Sequence, residues 1–141
     1  MLVVAAAIVA DGRVLAAKRN HPPERAGRWE FPGGRVRPGE APTEALAREC
    51  REELGVLVHV GRRLGESVAL QIGSEASQLW LYECAADDDA YALDHAELRW
   101  VTAAELDDLD WLPADRGLLP ALARRLVPYP SATPRRESRV E

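Results

Sequence analysis

Between Gly34 and Val56 the chain reads GRVRPGEAPTEALARECREELGV, and the spacing within this stretch constrains everything around it. Gly34, Glu40, Arg48, Glu49, Glu52, Glu53 and Gly55 hold fixed intervals. At ordinary residue frequencies such a coincidence arises by chance in roughly less than one chain per million of this length. The same stretch predicts a helix over 42–54. Pro42 suits the first helical position, Glu44 suits the positive end of the helix dipole, and Gly55 suits the left-handed residue beyond the last turn.

On such a helix Glu49, Glu52 and Glu53 fall at i, i+3 and i+4, so the three carboxylates share one face, while Leu46, Cys50 and Leu54 form a neighbouring apolar stripe. Like charges at these spacings repel by a few tenths of a kcal/mol each. A divalent cation reverses that penalty, and hard oxygen ligands suit Mg²⁺ or Mn²⁺ bound together with substrate phosphates.

Read from Gly33 as GGx5Ex7REUxEExGU, with U a bulky apolar residue and Cys50 at the first U, the stretch resembles the Nudix box. Its flanks, Trp29-Glu30-Phe31-Pro32-Gly33 before it and Glu97-Leu98-Arg99-Trp100-Val101 after it, resemble the MutT-like branch, and the resemblance runs over about residues 2 to 126. It implies an α/β/α sandwich, with a mixed curved β-sheet between helices, that hydrolyses a nucleoside diphosphate linked to another group. For the MutT-like branch this means a nucleoside triphosphate cleaved to monophosphate and pyrophosphate with Mg²⁺.

By the same resemblance, Glu49, Glu52, Glu53 and the Gly33 carbonyl hold divalent ions, and Asp94 adds a supporting metal or water contact. Glu49 is the first candidate for general base, ahead of Glu52 and Glu53. Arg48 orients a catalytic carboxylate, and Glu40 takes a structural or outer role. Arg19 touches phosphate or base, Phe31 lines the base pocket, and Gly34 exposes backbone groups to substrate. Asp115 stands where a reader of 8-oxoguanine in this family presents asparagine. An ionised aspartate only accepts hydrogen bonds, which favours the exocyclic amine of cytosine over a carbonyl oxygen.

Each of these residues also has a plainer reading. A Glu-rich helix face is usually solvated, and Arg48 could pair with Glu44 or Glu52 one turn away. Arg19 and Asp94 could be solvent charges, His95 a loop polar residue, and Asp115 a helix N-cap. Phe31, Trp29 and Trp80 could be core. Asp87-Asp88-Asp89 reads as a solvated turn, since no calcium-loop pattern follows it.

The chain has 141 residues, enough for one domain with a real core, assigned here to 1–127 and followed by a Pro- and Arg-rich flexible tail over 128–141. Its net charge of -5 offers no basic footprint for a nucleic-acid polymer, whereas a free nucleotide needs only local cations. Cys50 and Cys84 lack metal spacing and read as packed free thiols, which suits a reducing cytoplasm. Leu2 to Ala10 is too short for a bilayer and reads as a strand, turning at Asp11-Gly12 into a partner over 13–19. Further strands are expected at 29–31, 56–60, 62–72, 77–86 and 97–101. A capping box at Thr102 to Glu105 opens a helix through Leu109, and the last helix covers 118–126. Monomer and homodimer are equally compatible with the sequence. Two further readings stay open: hydrolysis of ADP-ribose, a dinucleoside polyphosphate, NADH or coenzyme A, and nucleotide binding without turnover.

Overall fold

A computed structural model describes residues 1–126. Its organising element is β1 (Leu2–Ala10), whose continuous apolar run is buried on both faces. Side chains alternate along a strand. Val4, Ala6 and Ile8 accordingly enter one core cluster, while Ala5 and Ala7 enter the other.

Beyond the Asp11-Gly12 turn, β2 (Arg13–Lys18) meets β1 only at Val9 with Val14 and Ala10 with Arg13, so the hairpin expected from sequence diverges after its first two pairs. The rest of β1 is shared by β4 (Gly33–Arg35), antiparallel, and β6 (Glu75–Ala86), parallel. The short β3 (Trp29–Glu30) lies beside β2, as does β7 (Glu97–Val101). The segment expected as separate strands at 56–60 and 62–72 is one long strand, β5 (Val58–Ile72), carried through two register shifts against β6. The result is a mixed sheet with β1 near its middle.

The helix α1 (Pro42–Leu54) occupies the span that the sequence predicts. Glu44 reaches back to the Ala41 N–H at 2.9 Å, and Gly55, at φ 64°, donates to the Arg51 carbonyl at 3.0 Å. Its stripe of Ala45, Leu46, Cys50 and Leu54 packs on Val4, Ala6, Ile8, Leu15, Tyr82 and Cys84. Both cysteines are free and buried in this layer, as the sequence suggests, and burial pushes both thiols up. The opposite layer contains the 3₁₀ turn η1 (Ala103–Asp108), the short helix α2 (Pro113–Arg116) and α3 (Leu119–Leu126). The capping box at Thr102 is present, with its N–H donating to Glu105 at 2.8 Å, yet it starts a 3₁₀ turn where a helix was expected. Val127 and the tail expected over 128–141 lie outside the described residues.

Gly33 is where the box is stitched to β1. It pairs with Ala5, and a Cβ placed on it would collide with the Val4 carbonyl. Gly33→Ala is expected to lower stability by about 1 to 3 kcal/mol, read as a lower urea midpoint at unchanged slope.

Candidate active site

The Arg48 guanidinium fixes the spatial relation between the box loop and the box helix. Its Nε and Nη2 donate to the two Glu40 oxygens at 2.8 and 3.0 Å, a bidentate fork. Nη2 also reaches the Arg35 carbonyl at 3.1 Å, tying in β4. Nη1 donates to Glu49 at 3.2 Å and to Glu52 at 3.4 Å. One side chain therefore spans β4, the 36–41 loop and two carboxylates of α1. The fork and the Arg37 N–H hold the Glu40 carboxyl down at about 2, so Glu40 stays charged at any pH where the protein works.

The Glu49 carboxylate lies directly over Gly34, where a Cβ would occupy the same space. Glu53 lies behind it, accepting from the Gly33 N–H at 3.4 Å. Burial is the main force pushing the Glu53 carboxyl well above the usual carboxylate range. The charges of Glu30 and Glu49 add to the push, and the Gly33 N–H opposes it. Two carboxyl groups and a glycine backbone thus share a confined space, with Arg48 on Glu49 and no cation on Glu53. That donor set fits a hard cation. Glu52, half exposed, stands at its edge. Among the described residues, no three acidic, histidine or cysteine side chains already converge as a cage.

Asp94 is exposed and pairs with His21 at 3.3 Å. The segment that carries it is nevertheless strapped to α1. Leu93 and Tyr91 donate their N–H groups to the Glu53 and Leu54 carbonyls at 3.1 and 2.9 Å, and Ala96 donates to Lys18 at 2.9 Å. His95, next along, is buried and meets Glu30 at 2.9 Å.

Beside the acids runs a cleft of about 530 Å³. Its polar wall carries Arg19, Glu30 and Asp115, and its apolar floor includes Val68, Leu70 and Leu79. Phe31 lines it while also stacking on Trp111, with ring centroids 4.6 Å apart, and is itself buried. Trp29 is core, and Trp80 carries the Arg63 guanidinium over its ring.

Asp115 departs from the N-cap alternative. Leu112 occupies the cap, and Asp115 lies inside α2. The segment before it is drawn against β3, since Trp29 donates to Asp110 at 2.9 Å and Leu112 donates to Trp29 at 2.8 Å. This brings Asp115 Oδ2 to the Phe31 N–H at 2.9 Å. Only 7% of its surface is exposed, and burial raises its carboxyl to about 7, against the Phe31 hydrogen bond that favours the charge. Burial thus works against the ionised, purely accepting form of Asp115.

Glu30 is the site residue that sequence reasoning passed over. It was read as part of an aromatic strand, and the signal available was an acid at an inward position one residue from Phe31.

A carboxyl raised by folding stabilises the fold below its unfolded value of 3.8, and that contribution is lost as pH climbs to about 7. Three units correspond to roughly 4 kcal/mol. Asp115→Asn is expected to remove this slope, so the variant gains on wild type between pH 4 and 8 in chemical denaturation. An unchanged difference across that range would contradict the assignment.

Residues 1–122 match the family model described as NUDIX domain. The chain is 50% identical over 128 residues to a Mycobacterium tuberculosis protein named putative 8-oxo-dGTP diphosphatase 2, covering 89% of each chain. It is 37% identical over 120 residues to the Escherichia coli CTP pyrophosphohydrolase, covering 84% of this chain and 88% of that one. The solution structure of the E. coli ORF135 protein superposes with a TM-score of 0.76 at 34% identity, over 92% of this chain and 93% of that one. Enzymes of this family generally need a divalent cation. On sequence, fold and site geometry together, the chain belongs to the Nudix hydrolase family.

Proposed function

We propose that the protein is a nucleoside triphosphate pyrophosphohydrolase that uses Mg²⁺, with Mn²⁺ as a substitute, and that its substrates belong to the nucleotide pool. The observation that carries this reading is the crowding of Glu49 and Glu53 against Gly33 and Gly34 at the mouth of a nucleotide-sized cleft. The names of two relatives, an 8-oxo-dGTP diphosphatase and a CTP pyrophosphohydrolase, support it.

Glu49, Glu52, Glu53 and the Gly33 carbonyl would hold the cation, with Asp94 brought in from its strap. When bound, the cation polarises water and neutralises charge on the phosphates. Arg48 fixes the Glu49 carboxylate so that one oxygen can take a proton from the attacking water. The water oxygen bonds to phosphorus as the anhydride P–O bond breaks, and pyrophosphate leaves with the electron pair. Arg19 and Gly34 contact the nucleotide, and Phe31 and Asp115 face its base.

The two forms of Asp115 leave two base classes open. The carboxylate accepts from the amine of cytosine, whereas the carboxylic acid donates to a carbonyl such as those of 8-oxoguanine. In a panel of 8-oxo-dGTP, dCTP and 5-methyl-dCTP, relative turnover of 8-oxo-dGTP is expected to rise as pH falls through about 7 in wild type. Asp115→Asn should flatten that profile.

Glu53→Gln is expected to cut pyrophosphate release about a hundredfold or more. It should not lower the melting temperature, because the neutral amide replaces a carboxyl that burial already pushes toward its neutral form. Wild type that releases no pyrophosphate from any (d)NTP with Mg²⁺ or Mn²⁺ would refute the assignment.

A further inference from the structure

Arg19 has an unusually constrained guanidinium for a residue on a cleft wall. Its Nη1 donates to both Glu30 oxygens at 3.1 Å, and its Nε donates to the His21 carbonyl at 3.0 Å. The backbone is equally fixed, with the Arg19 N–H on Arg28 at 2.8 Å and the Gly27 N–H on Arg19 at 3.0 Å. A guanidinium is planar, so two anchored nitrogens set the direction of the third. Nη2 has no hydrogen-bond partner among the described residues, and Arg19 lines the cleft shared with Glu30, Gly33, Gly34 and Asp115.

Glu30 is itself held. His95 Nε2 donates to its Oε2 at 2.9 Å from a side chain only 3% exposed. The other ring nitrogen, Nδ1, is buried and without a partner. A buried imidazole with one orphaned nitrogen costs stability. Its remaining hydrogen bond is the one to Glu30, which suits a ring retained for that carboxylate. His95 sits on the strap whose Leu93 and Ala96 are bonded to α1 and β2, so the ring is placed by the elements that also carry the acids.

We propose that Glu30 and His95 are positioning residues for Arg19. Glu30 clamps the guanidinium edge, His95 locks Glu30, and Nη2 is thereby presented to an oxygen of the bound nucleotide before it arrives. Preorganisation of this kind raises affinity by reducing the side-chain freedom lost on binding. The inference rests on the triphosphate reading, and it makes Glu30 a carboxylate that acts through Arg19 and not as another cation ligand.

The test combines steady-state kinetics with calorimetric binding of a nonhydrolysable α,β-methylene nucleoside triphosphate to wild type, Glu30→Gln, Arg19→Ala, the double variant, His95→Gln and His95→Asn. Glu30→Gln is expected to weaken analogue binding and raise KM about tenfold, with kcat held within about threefold. The double variant should bind no more weakly than Arg19→Ala alone. His95→Gln, whose amide nitrogen can reach the place of Nε2, should retain binding, and the shorter His95→Asn should not. Multiplied effects in the double variant, or a fall in kcat at constant KM, would overturn the proposal. If wild type binds the analogue but turns over no triphosphate, the functional reading fails while the clamp is still decided by the binding series. If it does neither, both fail.

Discussion

The arrangement of the site depends on one guanidinium. Arg48 uses its fork on Glu40 and its remaining donors on Arg35, Glu49 and Glu52, so loop, strand and helix are held by a single planar group. A lysine could supply the charge but not the geometry. Because Glu40 is satisfied by the fork, it is a structural anchor, and Glu49 is left over Gly34 with one oxygen held by Arg48. Both glycines serve this closeness. Gly33 lets β4 lie on β1, and Gly34 makes space for a carboxylate where any side chain would stand.

Around that anchor the protein gathers carboxyl groups, of which Glu53 has no cationic partner among the described residues. Glu53 is held buried by the same backbone that feeds β4 into the sheet, and Glu30 and Glu49 both press on it. Such a cluster weakens the empty fold, since buried like charges are disfavoured. Sites that perturb carboxylates this strongly are commonly functional. Asp115 repeats the pattern in the cleft, and Glu30, paired to Arg19 and His95, adds its charge to both.

The helix of the box was legible because its signals are local: Pro42, Glu44 and Gly55 mark its ends, and Leu46, Cys50 and Leu54 mark its buried face. The placement of Glu49 and Glu53 beside the Gly33-Gly34 turn was legible for the same reason, through their spacing on that helix. What the sequence could not carry is long-range placement. β1 was recognisable as a strand, but its parallel pairing with β6 joins segments more than 70 residues apart and leaves no local trace. Asp115 could be read from sequence as a base contact or as a cap, and only the pairing of Trp29 with 110–112 brings it to Phe31. Glu30 and His95, 65 residues apart, are individually unremarkable and acquire a role only where β3 and the strap meet.

The central claim is that α1 and the Gly33-Gly34 turn form a divalent cation site on the protein itself. Electron paramagnetic resonance titration of Mn²⁺ into nucleotide-free protein tests it most directly, comparing wild type with Glu49→Gln. The account predicts a saturable site in wild type whose affinity falls about tenfold or more in the variant, at an unchanged melting temperature. Equal Mn²⁺ affinity in the two proteins would contradict it.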